Sequence, residues 1–290
     1  MPMLDAQGPI PPHMLMLAYR AGVFPMADSR DDPELYWVEP RKRGILPLDG
    51  FHCSHSLART LRRGHFTVTC NAAFDAVIDA CAGPRRGAYG EDTWISERIA
   101  ASYRQLHLLG HAHSIEVWRA APDAEPRELV GGLYGVGFDR VFCGESMFSR
   151  ATDTSKVALA WLVAAMKRGD FTLLDCQMQT DHLASLGAIE ISQAQYQRML
   201  ATAQDLHPGG ETPSADDPPM ARRVPRQLTS PASPSLGAPG AGAGGGVTSS
   251  AEPASLALPA AFAALLEDAK SAGFSSSPGK LIAQSLTQTS

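Results

Sequence analysis

Up to about residue 204 the apolar residues of this chain recur in two rhythms. In some stretches they come at every third or fourth position, in others at every second position or in short unbroken runs. The first rhythm predicts helices. They fall over 11–21, where prolines open the first turn and Gly22 stops it, over 54–63 between the cap Ser54 and the stop Gly64, and over 72–81 and 96–109. Further helices are predicted over 154–168, with Leu159, Leu162, Val163 and Met166 on one face, briefly over 181–186, and from the capping box Ser192/Gln195 to residue 204. The second rhythm predicts strands at 35–38, 44–47, 66–70, 114–119, 128–136, 141–148, 171–176 and 188–191, with a polar hairpin turn at 122–126. The elements before residue 64 predict a small N-terminal α/β domain over 1–64. Those over 65–206 run β-α-α-β-β-β-α-β-α-β, which predicts an α/β domain built on a mixed sheet.

The rhythm stops near His207. Beyond it Pro, Ala, Ser and Gly dominate, as in Gly240-Ala241-Gly242-Ala243-Gly244-Gly245-Gly246, and the aromatic residues are Phe262 and Phe274. Such a stretch buries too little apolar area to offset the entropy of ordering it. Residues 207–290 are therefore predicted to be a disordered tail with one short amphipathic helix near 259–270. The folded part is then about 200 residues, enough for a sizeable core.

The formal net charge of −5 predicts no nucleic-acid partner, yet Arg41, Lys42, Arg43, Arg59, Arg62 and Arg63 cluster in sequence against Asp49. Local basicity of this kind binds phosphates even on an acidic chain; a solvated helix face beside a charged turn reads equally well. Cys53, Cys70, Cys81, Cys143 and Cys176 are odd in number and include no Cys-x-x-Cys pair. That predicts reduced thiols in a cytoplasmic protein, not a disulfide framework or a zinc ribbon. The apolar stretch 14–18 is too short for a secretion signal, and no run is long enough to span a bilayer, so no membrane association is expected.

Two strand ends carry the candidate chemistry. Phe142-Cys143-Gly144-Glu145-Ser146-Met147-Phe148 and Leu173-Leu174-Asp175-Cys176-Gln177 each place a carboxylate by an apolar run. A carboxylate there is costly unless something pairs with it, and strand ends in α/β domains form ligand clefts. Alternation along a strand points Asp175 and Gln177 into the same space; a buried carboxylate held by backbone amides is the competing reading. His107, His111 and His113 lack the Cys or carboxylate partners of a metal set, and Ser146 has no evident base. Cys143 and Cys176 fit small core residues better than nucleophiles. No metal and no cofactor is expected. The segment Phe148-Ser149-Arg150-Ala151-Thr152-Asp153 before the helix at 154 has no glycine, and Arg85-Arg86-Gly87-Ala88-Tyr89-Gly90 has the wrong spacing. Both argue against a coenzyme A pyrophosphate loop at a helix N-terminus.

Several long stretches carry a likeness. They are 106–118 with His111-Ala112-His113-Ser114, Leu129-Val130-Gly131-Gly132-Leu133-Tyr134-Gly135, 142–150 around Glu145, Asp175-Cys176-Gln177, and Asp181-His182 with Ala184-Ser185-Leu186-Gly187-Ala188. Together with Gly22-Val23-Phe24-Pro25 and Tyr36-Trp37, they closely resemble the bacterial leucyl/phenylalanyl-tRNA–protein transferases over residues 10–200, and not over the tail. The resemblance implies a GNAT-like acyltransferase domain, whose element order the pattern above shares by analogy. It implies transfer of leucine or phenylalanine from an aminoacyl-tRNA to the α-amine of a protein beginning with Arg or Lys, marking that protein for N-degron degradation.

It further implies catalytic roles for Asp175 and Gln177 and an acceptor-binding role for Glu145. The amine is already partly neutral near pH 7 and the ester is activated, so positioning and charge stabilisation are expected to supply much of the rate. Asp175 is expected to balance the charge building on the amine and to polarise Gln177, whose amide oxygen would aim the amine's lone pair. Trp118, Phe142, Met147 and Leu174 are expected to form an apolar pocket for the donor side chain, loose enough to take methionine too. Arg59, Arg62 and Arg63, with Arg41–Arg43 in a lesser role, are expected to hold acceptor-stem phosphates, and Trp37 to contact the tRNA. Tyr36 stands where the family commonly has Trp. A monomer is expected. The rival readings are an acyl-coenzyme A N-acyltransferase and a non-catalytic module that binds basic N-termini through Glu145.

Overall fold

The computed structural model describes residues 8–83, 93–119, 128–204 and 257–287. After helix α1 (Pro12–Arg20), strands β1 (Phe24–Met26) and β2 (Tyr36–Val38) pair as a two-stranded antiparallel ribbon. Strand β3 (Lys42–Ile45) and helix α2 (His55–Arg63) follow; the Ser54 side chain accepts from the Leu57 amide and Gly64 closes α2 in the left-handed conformation. Strand β4 (Phe66–Cys70), helices α3 (Phe74–Cys81) and α4 (Glu97–Leu108), and strands β5 (Ala112–Arg119), β6 (Leu129–Phe138) and β7 (Val141–Ser149) come next. Helix α5 (Thr154–Arg168) then leads to strand β8 (Leu173–Gln177), short helix α6 (Asp181–Ala184), strand β9 (Ile189–Ser192) and helix α7 (Gln193–Ala203), which opens on the expected capping box of Ser192 and Gln195.

Among the described residues one seven-stranded sheet has the order β4-β5-β6-β7-β8-β3-β9. The first four strands form an antiparallel meander, α5 crosses over to make β8 parallel to β7, and β3 runs antiparallel to both β8 and β9. This is a mixed α/β fold. Strand β3 comes from the segment 1–64 expected to form its own domain, yet it lies inside the sheet between two strands of the segment 65–206. The sheet draws on both segments because Gly44 and Ile45 pair with Gln177 and Asp175 on one side and with Glu190 and Ile189 on the other.

Apolar layers cover both faces. On one, Val117, Val130, Phe142 and Leu174 pack against Leu57 and Leu61 of α2 and Leu159 and Leu162 of α5. On the other, Tyr134, Val136, Cys143 and Leu173 pack against Tyr19 of α1, Ile78 of α3, Tyr103 of α4 and Tyr196 of α7. Within the tail expected to lack structure, helices α8 (Leu258–Ser271) and α9 (Gly279–Thr287) form. Helix α8 falls where the short amphipathic helix was expected; α9 was not expected. Neither has a core of its own, but Leu258, Phe262 and Leu265 of α8 and Ile282 and Leu286 of α9 join the layer of α2 and α5. The hairpin turn at 122–126, the Arg85–Arg86 segment and the tail up to residue 256 lie outside the described residues. No helix among the described residues is long and apolar enough to cross a membrane.

Candidate active site

The site begins as an irregularity in β7. Tyr134 of β6 pairs with Ser146 and Gly135 pairs with Gly144, so Glu145 is the extra residue of a β-bulge. The parallel ladder between β7 and β8 runs from Val141↔Leu173 to Cys143↔Asp175 and stops there. Past that point a cleft of about 890 Å³ opens, lined by residues 144–150 of β7 and its exit and by Leu174, Cys176, Gln177 and Met178.

Glu145 is buried, and both of its oxygens are hydrogen-bonded. Its Oε1 accepts from Tyr19 Oη (2.7 Å) and from Gln177 Nε2 (2.8 Å), and its Oε2 lies 2.9 Å from Tyr103 Oη. The two phenol oxygens are themselves 2.5 Å apart. Three oxygen–oxygen contacts need three protons, and two phenols supply two. A proton on Glu145 completes the ring, which agrees with burial pushing this carboxyl up to about 7, against the lowering effect of its three donors. The same burial, with Glu145 beside them, raises both tyrosines well above their ordinary range.

Gln177 ends β8 in the left-handed region, at φ 62°. Its side chain turns toward Glu145, and the bond from Nε2 leaves Oε1 as the half of the amide not used there. His182 of α6 also lines the cleft, and burial and Lys156 lower its pKa, with Asp153 opposing, so the imidazole is neutral near pH 7.

Asp175 shares Gln177's side of the sheet, as alternation requires, but has other partners. Arg43 Nε and Nη2 donate to its two oxygens at 2.8 and 2.6 Å, Tyr196 Oη donates at 2.8 Å, and the Gln177 backbone amide donates at 2.8 Å. Cys143 Sγ lies 3.5 Å away. Arg43 also donates to the Gly22 carbonyl and stacks on the rings of Tyr196 and Phe24, 4.3 and 4.9 Å from their centroids. Burial alone would depress the guanidinium's pKa; the charge and hydrogen bonds of Asp175 outweigh it and keep Arg43 protonated.

This arrangement corrects three expectations. Asp175 touches Gln177 through the backbone amide, not through its side-chain amide. Arg43 is 2% exposed and committed to Asp175, so it is unavailable to a phosphate. Lys42, on the opposite face, is exposed and paired with Glu190. The expected donor pocket divides. Met147 and Leu174 line the cleft, in company with Leu133, Leu159, Leu162 and Leu183. Phe142 is core, wholly buried, and Trp118 donates to Thr69 Oγ1 across the β4–β5 pair; neither lines the cleft.

Arg59, Arg62 and Arg63 are exposed on α2, and Trp37 is half-buried on β2. Burial first and Asp175 second push the thiols of Cys143 and Cys176 up, away from the thiolate form; Cys176 lines the cleft and Cys143 is core. His113 is buried against Asn71 Nδ2, and burial pushes its pKa down to about 4. No group of three or more metal-ligating side chains is assembled among the described residues.

Tyr19, Tyr103, Tyr196 and the pairing of Arg43 were not foreseen. A signal was available for the first two. Each sits on the apolar face of its helix, Tyr19 four residues after Leu15 and Tyr103 four after Ile99. A phenol in that position needs a buried polar partner.

The family profile described as leucyl/phenylalanyl-tRNA protein transferase matches residues 45–201, and the profile of that family's N-terminal domain matches residues 8–41. The chain belongs to this family. It is therefore an aminoacyltransferase. Relatives that carry the leucyl/phenylalanyl-tRNA–protein transferase name include one from Novosphingobium aromaticivorans, 60% identical over 281 residues that make up 97% of each chain. One from Zymomonas mobilis is 56% identical over 194 residues, 67% of this chain and 69% of its own. One from Cereibacter sphaeroides is 56% identical over 192 residues, 66% of this chain and 84% of its own. The two family profiles meet between residues 41 and 45, at β3, and stop before α8 and α9.

Proposed function

We propose that this transferase moves leucine, phenylalanine or methionine from an aminoacyl-tRNA to the α-amine of proteins that begin with Arg or Lys, sending them toward N-degron degradation. It acts as a cytoplasmic monomer without a cofactor, and its central domain is GNAT-like. The observation that carries the reading is the contact between Gln177 Nε2 and Glu145 Oε1 at the point where the parallel strands part.

The apolar recess of Leu133, Met147, Leu159, Leu162, Leu174 and Leu183 takes the donor side chain. Once ionised, Glu145 accepts from Tyr19, Tyr103 and Gln177 and keeps capacity for one more donor, and a guanidinium or ammonium is the donor that favours that ionised form. Gln177 Oε1 accepts a hydrogen bond from the α-amine and aims its lone pair at the ester carbonyl carbon. The new C–N bond forms, the bond to the ribose oxygen breaks, and the amine's proton leaves through water to that oxygen. An amide oxygen is too weak a base to keep the proton. The Arg43–Asp175 pair holds β8, and with it Gln177, in register with the bulge.

Arg59, Arg62 and Arg63 meet acceptor-stem phosphates, Arg41 lies exposed nearby in sequence, and Trp37 with Tyr36 meets the terminal nucleotide. An acyl-coenzyme A donor is disfavoured by Asp153, the N-cap residue of α5, whose carboxylate pairs with Lys156 where a pyrophosphate would sit.

The test is radiolabelled leucyl-tRNA with the purified protein and two peptides that differ only in an N-terminal Arg or Gly. Label on the Arg peptide alone is expected. Equal label on both would remove the acceptor rule, and label on neither would remove the donor.

A further inference from the structure

We infer that the C-terminal helices α8 and α9 are a brace that fixes helix α2 and so aims Arg59, Arg62 and Arg63. This rests on the reading of α2 as the tRNA-contacting helix.

Helix α5 is apolar on every side: all of its residues from Val157 to Met166 are buried. The sheet covers only one side of it, so something must cover the other. Helix α8 does. Leu258, Ala261, Phe262, Leu265 and Ala269 make its buried face, Phe262 lies 5.3 Å from Trp161 between ring centroids, and Asp268 Oδ2 accepts from Arg168 Nε at 2.8 Å. Helix α9 does the same for α2. Gly279, Ile282, Ala283 and Leu286 are its buried face.

The approach to α2 is close. A Cβ at Gly279 would collide with the Leu61 carbonyl, and the Ser277 hydroxyl donates to the Arg62 carbonyl at 3.3 Å. The last turn of α2 therefore meets the start of α9 backbone to backbone. Leu57, Ala58 and Leu61 are buried on the inner side of α2, while Arg59, Arg62 and Arg63 face out.

A helix of nine residues has little stability of its own. Packed on α5 alone, α2 could pivot, and its arginines could fold their apolar stems over the uncovered Leu61. Held from both sides, it presents three guanidinia at spacings of three and four residues, along one face. Helix α9 adds Lys280, exposed, and carries no acidic residue to offset that charge. The brace lies beyond the residues matched by the family profiles, and the match to the Novosphingobium aromaticivorans relative spans nearly the whole chain. It is thus an addition to the family's core placed against its nucleic-acid-facing helix.

The test uses the full chain as Gly279→Leu, which lifts α9 from α2, beside the triple variant Arg59→Ala/Arg62→Ala/Arg63→Ala. Binding of leucyl-tRNA is measured across salt, together with kcat, KM for the tRNA and the Kd of an Arg-initiated peptide. Gly279→Leu is expected to weaken tRNA binding about tenfold and to flatten its salt dependence part-way toward the triple variant, as loss of one or two phosphate contacts requires. Its kcat and its peptide Kd should match the parent. If the triple variant binds tRNA as the parent does, the reading of α2 fails. If the triple variant is weakened while Gly279→Leu is not, the brace is overturned. Should Gly279→Leu fail to fold, Ile282→Ala, which trims the same contact without a clash, is held to the same two results.

Discussion

The guanidinium of Arg43 and the carboxylate of Asp175, 132 residues apart in sequence, form a two-pronged ion pair at 2.8 and 2.6 Å, with neither side chain exposed by more than 2%. Removing one member leaves an uncompensated buried charge, which costs about 3–5 kcal/mol. Arg43→Met should therefore lower the melting temperature by roughly 10 °C. Arg43→Met/Asp175→Leu should recover much of that loss, since a well-packed apolar pair replaces such a bridge at little cost. Thermal unfolding of the four proteins in a double-mutant cycle measures the coupling.

Asp175→Asn distinguishes a strand-holding role of this carboxylate from a direct part in the chemistry. As a group that holds β8, it should lose stability and turnover together. A variant with normal melting behaviour and greatly reduced kcat would return Asp175 to a direct part in the chemistry.

Gln177→Ala should separate the two effects in the other direction. Its amide positions the amine and its removal leaves the strand pairing intact, so kcat should fall about 10²–10³-fold with the melting temperature little changed. Single-turnover kinetics at saturating tRNA and peptide give the comparison.

Glu145 should make both stability and acceptor binding depend on pH. Its pKa rises from 4.5 in the unfolded chain to about 7 in the fold. The folded state thus binds the proton more tightly. The stabilisation this gives is full below the unfolded value and is lost as pH climbs to 7, a change of about 3 kcal/mol by linkage. The stability that Glu145 contributes should be larger at pH 5 than at pH 8, while His113 and His182, whose pKa values burial lowers, act in the opposite sense and do so equally in a Glu145→Gln variant. Binding an Arg-initiated peptide demands the ionised form, so its affinity should rise with pH and level off above 7. In calorimetry the difference in melting temperature between the parent and Glu145→Gln should shift against the parent from pH 5 to pH 8, and Glu145→Gln should flatten the pH profile of peptide affinity.

Met147→Ala enlarges the recess between the parting strands. The ratio of kcat/KM for phenylalanyl-tRNA over leucyl-tRNA should rise by up to about tenfold, the worth of one or two methylenes in an apolar pocket. Trp118→Phe, remote from the cleft, should leave that ratio as it was.

Most elements were legible locally. The apolar rhythm located α1, α2, α4, α5 and α7, because caps such as Ser54 and Ser192 and stops such as Gly64 act within one turn of the chain. It also placed Gln177 at a strand end, whereas Glu145, expected at one too, lies inside β7 at its bulge. Helix α9 escaped because its apolar face is meaningful only against α2, more than 200 residues away. The clue lay in α5, apolar all round and so in need of a second cover.

The amino-acid sequence by itself determined the periodic elements, the mixed α/β class, the family and the list of polar groups near the two strand ends. Which group meets which was decided by the tertiary structure. Arg43 reads as one member of a basic turn, and only the insertion of β3 beside β8 turns it inward onto Asp175. Glu145 reads as a strand residue, and only the bulge against Tyr134 and Gly135 sets it between Tyr19, Tyr103 and Gln177. The physical reason is range. Helix caps and strand alternation are fixed by neighbours a few residues apart, whereas the partner of a buried charge is fixed by whichever chain segment the sheet brings within hydrogen-bond distance.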